Sequence, residues 1–274
     1  MKDLYWVEAI IGNQTVSLTQ KFNLDLIKVD EGDASVTSIK NSIAGLDGNL
    51  PVRNTFAAFP LTITFKLRAK DRYDYHLVKA DLKSFLHQQE WYYIRHEKMP
   101  GRIFAVDDVS ITNDRAGPIT GTITLTFNCF RGYSESYGST LDPFLFSTDK
   151  WAFGLHLPLG EDVSYTHTEK VFRIYNASDF TIDPRRRHKL DIALSCVGQP
   201  TITNYTTGDY FTYYKALKKS DILELNGVYP YKNGTHCGVD TNRGVITLGV
   251  GWNELEISGA ENIKVSFDFP FLYR

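Results

Sequence analysis

Four stretches of this chain alternate apolar and polar side chains so strictly that only a pleated strand with one buried face accommodates them. The clearest is Leu61-Thr62-Ile63-Thr64-Phe65-Lys66-Leu67-Arg68. Gly121-Thr122-Ile123-Thr124-Leu125-Thr126-Phe127-Asn128 repeats the pattern, with Ile123, Leu125 and Phe127 on one side and threonines on the other. Leu190, Ile192, Leu194 and Cys196 alternate with polar or small residues, as do Ile263, Val265, Phe267 and Phe269. A helix would spread each set around its circumference, because its period is 3.6 and not 2. Two of the stretches lie in each half of the chain, so both halves are expected to be built on sheets.

One helix is expected between them. From Asp71 to about Gln89, the residues Tyr75, Val78, Leu82, Phe85 and Leu86 fall in a stripe roughly 100° wide, with His76, Lys83 and His87 opposite. Asp71 is placed to cap its N-terminus, and Asp74 lies near the positive end of its dipole. Turn chemistry is dense later on. Asn226-Gly227, Asn233-Gly234 and Asn242-Arg243-Gly244 separate short runs such as Ile222-Leu223-Glu224-Leu225 and Leu255-Glu256-Ile257. Asn-Gly supplies the positive φ angles of tight hairpins, and short strands so divided read as a β-sandwich. The Gly- and Ser-rich stretch from Arg131 to Thr140 reads as a linker. Two domains follow, residues 1–140 and 141–274.

Composition narrows the class of protein. At 274 residues, 42% hydrophobic and 23% charged, the chain can bury a core without disulfides or metals. Its 16 Tyr, 17 Phe and 4 Trp suit half-buried sheet faces and protein interfaces. A net charge of −2 argues against a dedicated nucleic-acid binder. Cys129, Cys196 and Cys237 are odd in number and widely spaced, which predicts buried free thiols rather than a disulfide framework or zinc site. Asp3 and Glu8 interrupt any signal-peptide pattern, and no apolar run approaches the ~20 residues of a membrane span. The expectation is a chain made in the cytoplasm without a membrane anchor. Sequons at Asn13, Asn176, Asn204 and Asn233 are read as chance.

Motifs for chemistry are wanting. No Gly-x-Ser-x-Gly elbow occurs. Gly249-Val250-Gly251 lacks the third glycine of a dinucleotide fingerprint and runs on into a strand-like Trp252-Asn253-Glu254-Leu255. His76 and His87 share a helical stripe but lie about 16 Å apart at 1.5 Å per residue, too far to share a metal. The remaining histidines, His96, His156, His167, His188 and His236, show no ligand spacing. Asp30-Glu31-Gly32-Asp33 lacks the pattern of a calcium loop and reads as a solvated loop. Asp183-Pro184-Arg185-Arg186-Arg187-His188 reads as a turn leading into a strand from Lys189, with its arginines facing alternate ways; a protein interface is the second reading. No catalytic, cofactor-binding or metal-binding residue is assigned, no cofactor is expected, and the chain is not expected to be an enzyme.

Several stretches, in order along nearly the whole chain, resemble the distal tail proteins of long-tailed, non-contractile bacteriophages. In the first half they are Gly45-Leu46-Asp47-Gly48, the Leu61 strand, the helix from Asp71, Pro100-Gly101-Arg102-Ile103-Phe104-Ala105-Val106, and Gly121-Thr122 through Phe127-Asn128-Cys129-Phe130. In the second they are Ile174-Tyr175-Asn176-Ala177-Ser178-Asp179, Asp221-Ile222-Leu223-Glu224-Leu225-Asn226-Gly227, Leu248-Gly249-Val250-Gly251-Trp252-Asn253 and Ile263-Lys264-Val265-Ser266-Phe267-Asp268-Phe269. The resemblance implies a mainly β protein with one α-helix. Its N-terminal ring-forming domain would combine a β-sandwich, a helix and an extended hairpin that clasps the next subunit, and its C-terminal domain would be a galectin-like β-sandwich. It also implies a homo-hexameric ring at the virion's tail tip, in a phage of Gram-positive bacteria. The ring would join the tail tube protein to a tail-associated lysin or fibre protein and to receptor-binding proteins, with DNA passing through unbound.

A second expectation is a glycan-binding module touching host cell-wall saccharide through Trp252 or Trp151. The chain departs from galectins here: Thr181-Ile182-Asp183-Pro184-Arg185 only echoes their His-x-Asn-Pro-Arg, and no Trp-Gly-x-Glu follows.

Overall fold

The computed structural model describes residues 5–274 except 39, 44, 46, 48, 52–53, 146–149, 153 and 159–162. Met1–Leu4, on which part of the N-terminal reading rests, and Leu46 and Gly48 of the first matching stretch lie outside the described residues. The chain divides into two compact units, residues 1–134 with Arg274, and residues 135–273.

In the first unit an antiparallel sheet runs in the order Gln14–Ser17, Val7–Ile11, Tyr92–His96, Arg102–Arg115, Thr120–Cys129, Phe59–Arg68, Leu24–Glu31. The two alternating stretches are neighbours, in a register that sets Leu61 opposite Phe127, Ile63 opposite Leu125 and Phe65 opposite Ile123. All six side chains are fully buried, each worth about 1.5–3 kcal/mol by its removal from water. Their polar alternates pair too, as threonines 62 with 126 and 64 with 124.

The helix spans Arg72–Leu86, and the Asp71 carboxylate accepts from the amides of Tyr73 (2.7 Å) and Asp74 (2.8 Å), as the cap requires. Tyr75, Leu82 and Leu86 are buried, while His76, Lys83 and His87 are exposed. The helix stops short of Gln89. His87 Nδ1 and Gln88 Nε2 turn back onto the carbonyls of Lys83 and Phe85, and Tyr92 Oη donates to that of Leu86. Gly121 lies beneath Tyr75, whose hydroxyl would collide with any Cβ there. A second, four-residue helical turn, Leu18–Lys21, was not expected; it is too short to show a period, yet buries Leu18 and Thr19.

The acidic run is exposed at Asp30, Glu31 and Asp33, as expected of a solvated segment, but it is a loop only in part. Asp30 and Glu31 end the Leu24–Glu31 strand, and Glu31 faces the buried His96 imidazole at 3.3 Å. That imidazole, ahead of Arg102 and Lys98, holds the Glu31 carboxyl below the ordinary carboxylate range despite partial burial.

The second unit is organised by two long strands, Asp191–Asn204 and Gly251–Asp268, paired antiparallel. Their ladder shifts register between Ser195 and Val197 and between Gly198 and Thr201, dividing each strand into two working halves. One half pairs with Thr166–His167 and Leu223–Asn226, the other with Val171–Asn176 and Asp209–Thr212. At the crossing, Gly198 (φ 125°) and Gly259 (φ 71°) approach so closely that a Cβ on either would strike the other strand's backbone. Asn226-Gly227 and Asn233-Gly234 turn the hairpins that join Leu223–Asn226, Tyr229–Lys232 and Thr235–His236.

One expectation, that of a flexible linker, fails here. The stretch from Arg131 to Thr140 is mostly buried. The Ser136 amide donates to Phe271 (2.8 Å), Thr140 Oγ1 to Phe267 (2.8 Å), and the Thr140 amide to Phe269 (3.1 Å). Its small residues serve close packing, Gly138 against the Trp151 ring, rather than flexibility. The arginine run is the turn expected ahead of a strand: Pro184–Arg186 is a 3-10 turn capped by Asp183, Arg187 is left-handed (φ 66°), and the strand Asp191–Asn204 follows, but all three arginines are exposed rather than facing alternate ways.

The three cysteines are free and buried. Burial pushes the Cys129 thiol up to about 12 and the Cys196 thiol to about 11, so the reactive thiolate is scarce at neutral pH. Native protein at pH 8 should therefore leave Cys129 and Cys196 unmodified by iodoacetamide, read by intact mass, and take up the full complement only once unfolded.

Candidate interaction surfaces

Among the described residues no three His, Cys, Asp or Glu side chains gather as a metal site. The histidines are dispersed. His76 and His87 are exposed on the helix, and His96 is stacked on Phe104. His156 lies 3.4 Å from Asp179, His167 stacks on Phe172, and His188 accepts from the Asp183 amide. What the fold presents is surface.

The most unusual surface is an arm between the Leu24–Glu31 and Phe59–Arg68 strands. It is rooted by hydrogen bonds from Gly32 to Pro60 (2.8 Å) and from Ala57 to Ser35 (2.9 Å). Beyond the root the described residues form two short ladders, Val36–Thr37 with Thr55–Phe56 and Lys40–Asn41 with Leu50–Pro51. Every described side chain from Ser35 to Thr55 whose exposure is given is exposed, including Val36 at 55% and Ile43 at 47%. An isolated two-stranded hairpin is marginal in water at best, so this one is built to be completed by something else. One feature of the sequence marks the arm. The interval between the strands is longer than the ~12–15 residues of an ordinary loop and shows no period, the mark of a functional excursion.

Two further features of the first unit can receive a partner. Trp91, 49% exposed, meets Tyr93 edge-on at 5.2 Å and Phe130 at 6.1 Å, with the Arg131 guanidinium 4.8 Å over its ring. Trp, Tyr and Arg are the residues that dominate binding energy at protein interfaces. Along the helix runs an open groove of about 730 Å³, bordered by Lys21, Arg68 and Lys70 on one side and by Asp74 and Asp81 on the other. By contrast the edge strands are guarded. Gln14–Ser17 is only four residues long, and Leu24–Glu31 carries a bulge between Leu26 and Lys28 that turns out Ile27.

In the second unit three buried asparagines hold one loop. Asn253 donates to the carbonyls of Gly249 (2.8 Å) and Gly251 (3.1 Å) and accepts from the Gly249 amide (2.8 Å) and from Asn204 (3.2 Å). Asn204 donates to Thr247 (2.8 Å) and Asn176 to Leu248 (3.0 Å). Asn176 and Asn204, two of the four sequons, are fully buried. Trp151 is 2% exposed, its indole N–H spent on the Pro143 carbonyl, so it has no face for a sugar. Of the galectin-like echo, Ile182, Asp183 and Pro184 are buried, and Asp183 caps its own turn.

Residues 12–129 match the family model of the phage tail protein RIFT-related domain. No curated protein matches the chain. Among solved structures, the chain is similar to the Dit protein of phage SPP1, described as a paradigm of hub adsorption apparatus in Gram-positive infecting phages. The TM-score is 0.69 at 14% identity, over 97% of this chain and 99% of that one. It is also similar to chains in two baseplate structures of phage p2 in the activated conformation. With Ca the TM-score is 0.46 at 7% identity, over 97% of each chain; with Sr it is 0.46 at 6%, over 96% and 97%.

Proposed function

We propose that this chain, a phage tail component with a Dit-like fold, is a structural ring subunit that forms the hub of the tail tip. The observation that carries the reading is the exposed arm from Ser35 to Thr55, which cannot bury its own apolar groups. Ring closure needs a heterologous interface, one patch of each subunit meeting a different patch of the next. The arm supplies one such patch. The helix groove and the Trp91–Arg131 cluster are the surfaces of the same unit suited to receive it.

Because the sheet edges are short or bulged, the neighbour docks through the arm and side-chain surfaces rather than by open-ended strand addition. Such addition would not stop at a closed ring. Six subunits complete the ring. It joins the tail tube above to a lysin or fibre protein below, and receptor-binding proteins attach at the side. The formal charge of −2 suits a channel that lets DNA pass without gripping it, since each neutralised phosphate would add affinity.

Purified full-length protein, alone and co-expressed with its tail neighbours, is expected to give annular particles in negative stain and six times the chain mass by light scattering. A single-chain mass under both conditions would overturn the reading.

A further inference from the structure

We infer that the second unit carries a saccharide-binding groove on the outward face of its Val171–Asn176 and Gly251–Asp268 strands. Strand register builds that face. Phe172, Ile174, Asn253 and Leu255 point into the core, so Arg173 stands beside Glu254 and Tyr175 beside Trp252 on the other side. Glu256 follows, opposite Thr203 of the next strand. A groove lined by Arg173, Trp252 and Glu254 of this face, with His167, Glu169 and Tyr205 beside them, has a volume of about 680 Å³, within the roughly 300–1,000 Å³ range of ligand pockets.

Its aromatic groups are held in place. Trp252 meets Tyr175 edge-on at 5.1 Å and carries the Arg173 guanidinium at 4.7 Å, which fixes the indole. Tyr205, 62% exposed, donates its hydroxyl to Glu256. His167 lies flat on Phe172, with ring centroids 4.6 Å apart. Burial lowers its proton affinity below that of an ordinary histidine, leaving a neutral ring at pH 7.

The mixture of groups selects the ligand. Glu169 and Glu254 repel phosphates and other anions, while Arg173 in their midst disfavours a simple cation. Carboxylates accept and the guanidinium donates, so the best-matched ligand offers groups able to do both. Hydroxyls do both, and a pyranose ring adds an apolar C–H face to stack on the exposed ring of Tyr205. A neutral oligosaccharide satisfies every member of the set, with hydroxyls for Glu169, Glu254 and Arg173 and a C–H face for the exposed Tyr205 ring.

The groove belongs to the second unit alone, so its test is separable from ring formation. The full chain is probed on an array of neutral oligosaccharides of two to four hexose or N-acetylhexosamine units, with calorimetry on any that bind. Binding is expected, weakened at least ten-fold by Tyr205→Ala and by Arg173→Gln, with the particle mass unchanged. Both side chains are exposed, so neither substitution threatens the fold. Absence of binding by the unaltered protein, or binding that survives both substitutions, would overturn the inference, whatever the oligomeric state.

Discussion

Replacing residues 36–55 by a short Gly-Ser bridge is expected to abolish ring assembly while leaving a folded, soluble single chain. None of the buried hydrophobic residues that form the first unit's core lies between Ser35 and Ala58, so the deletion removes no described core packing. The root is kept, because the Ala57 to Ser35 and Gly32 to Pro60 hydrogen bonds fall outside the exchanged segment. Shortening a loop by this amount changes its closure entropy by only about 1 kcal/mol or less. What is lost is the docked apolar surface: Val36 and Ile43 alone would contribute about 1.5–3 kcal/mol each on full burial against a neighbour. Repeated at every joint of a closed ring, that loss moves the assembly threshold by more than 100-fold in concentration. Light scattering at increasing concentration reads the result, with the thermal midpoint of the dissociated chain as the control for folding. Rings that persist without the arm would show that the interface lies elsewhere and sink its assigned role.

The parts of this fold that were legible in the sequence are those in which a local period reports a two-sided environment. Strict alternation placed Phe59–Arg68 and Thr120–Cys129 in the core, and the 3.6-residue stripe placed the helix and its Asp71 cap. Asn-Gly pairs found their hairpins because positive φ is a property of the residue itself. The failures share one cause: long-range partners invisible to any local window. The Arg131–Thr140 segment has linker composition, yet Ser136 and Thr140 bond to residues more than a hundred positions away. Glu31 is exposed, as expected, but its pairing with His96 forms only when the sheet brings the two together. The arm carried a negative signal only, length without period, and the Trp91–Arg131 cluster joins residues forty positions apart with no common motif. For the groove, Trp252 could be named from the sequence, but Arg173 and Tyr205 could not, because strand register alone sets them beside it.

Asn253→Ala is expected to cost about 2–4 kcal/mol through hydrogen bonding and not lost apolar contact. The side chain is fully buried and uses both ends, Nδ2 to the carbonyls of Gly249 and Gly251 and Oδ1 to the Gly249 amide and Asn204. Truncation strands these groups where water is excluded, and an unsatisfied buried polar group costs roughly 1–3 kcal/mol. Asp at this position would keep the acceptor but place a charge where none is compensated, so it should be no better than Ala. Asn13→Ala, at an exposed position, should change stability by less than about 0.5 kcal/mol and serves as the control. Urea unfolding of the full chain measures the difference, provided the slope is unchanged. Because the Gly249–Gly251 loop leads directly into Trp252, a destabilised Asn253 variant should also loosen the Trp252–Tyr175 pair. That would appear as a red-shifted tryptophan emission before global unfolding. Native-like stability in Asn253→Ala would mean that the loop is held by its backbone alone, and the asparagine cluster would lose its role as the clamp behind the outer face.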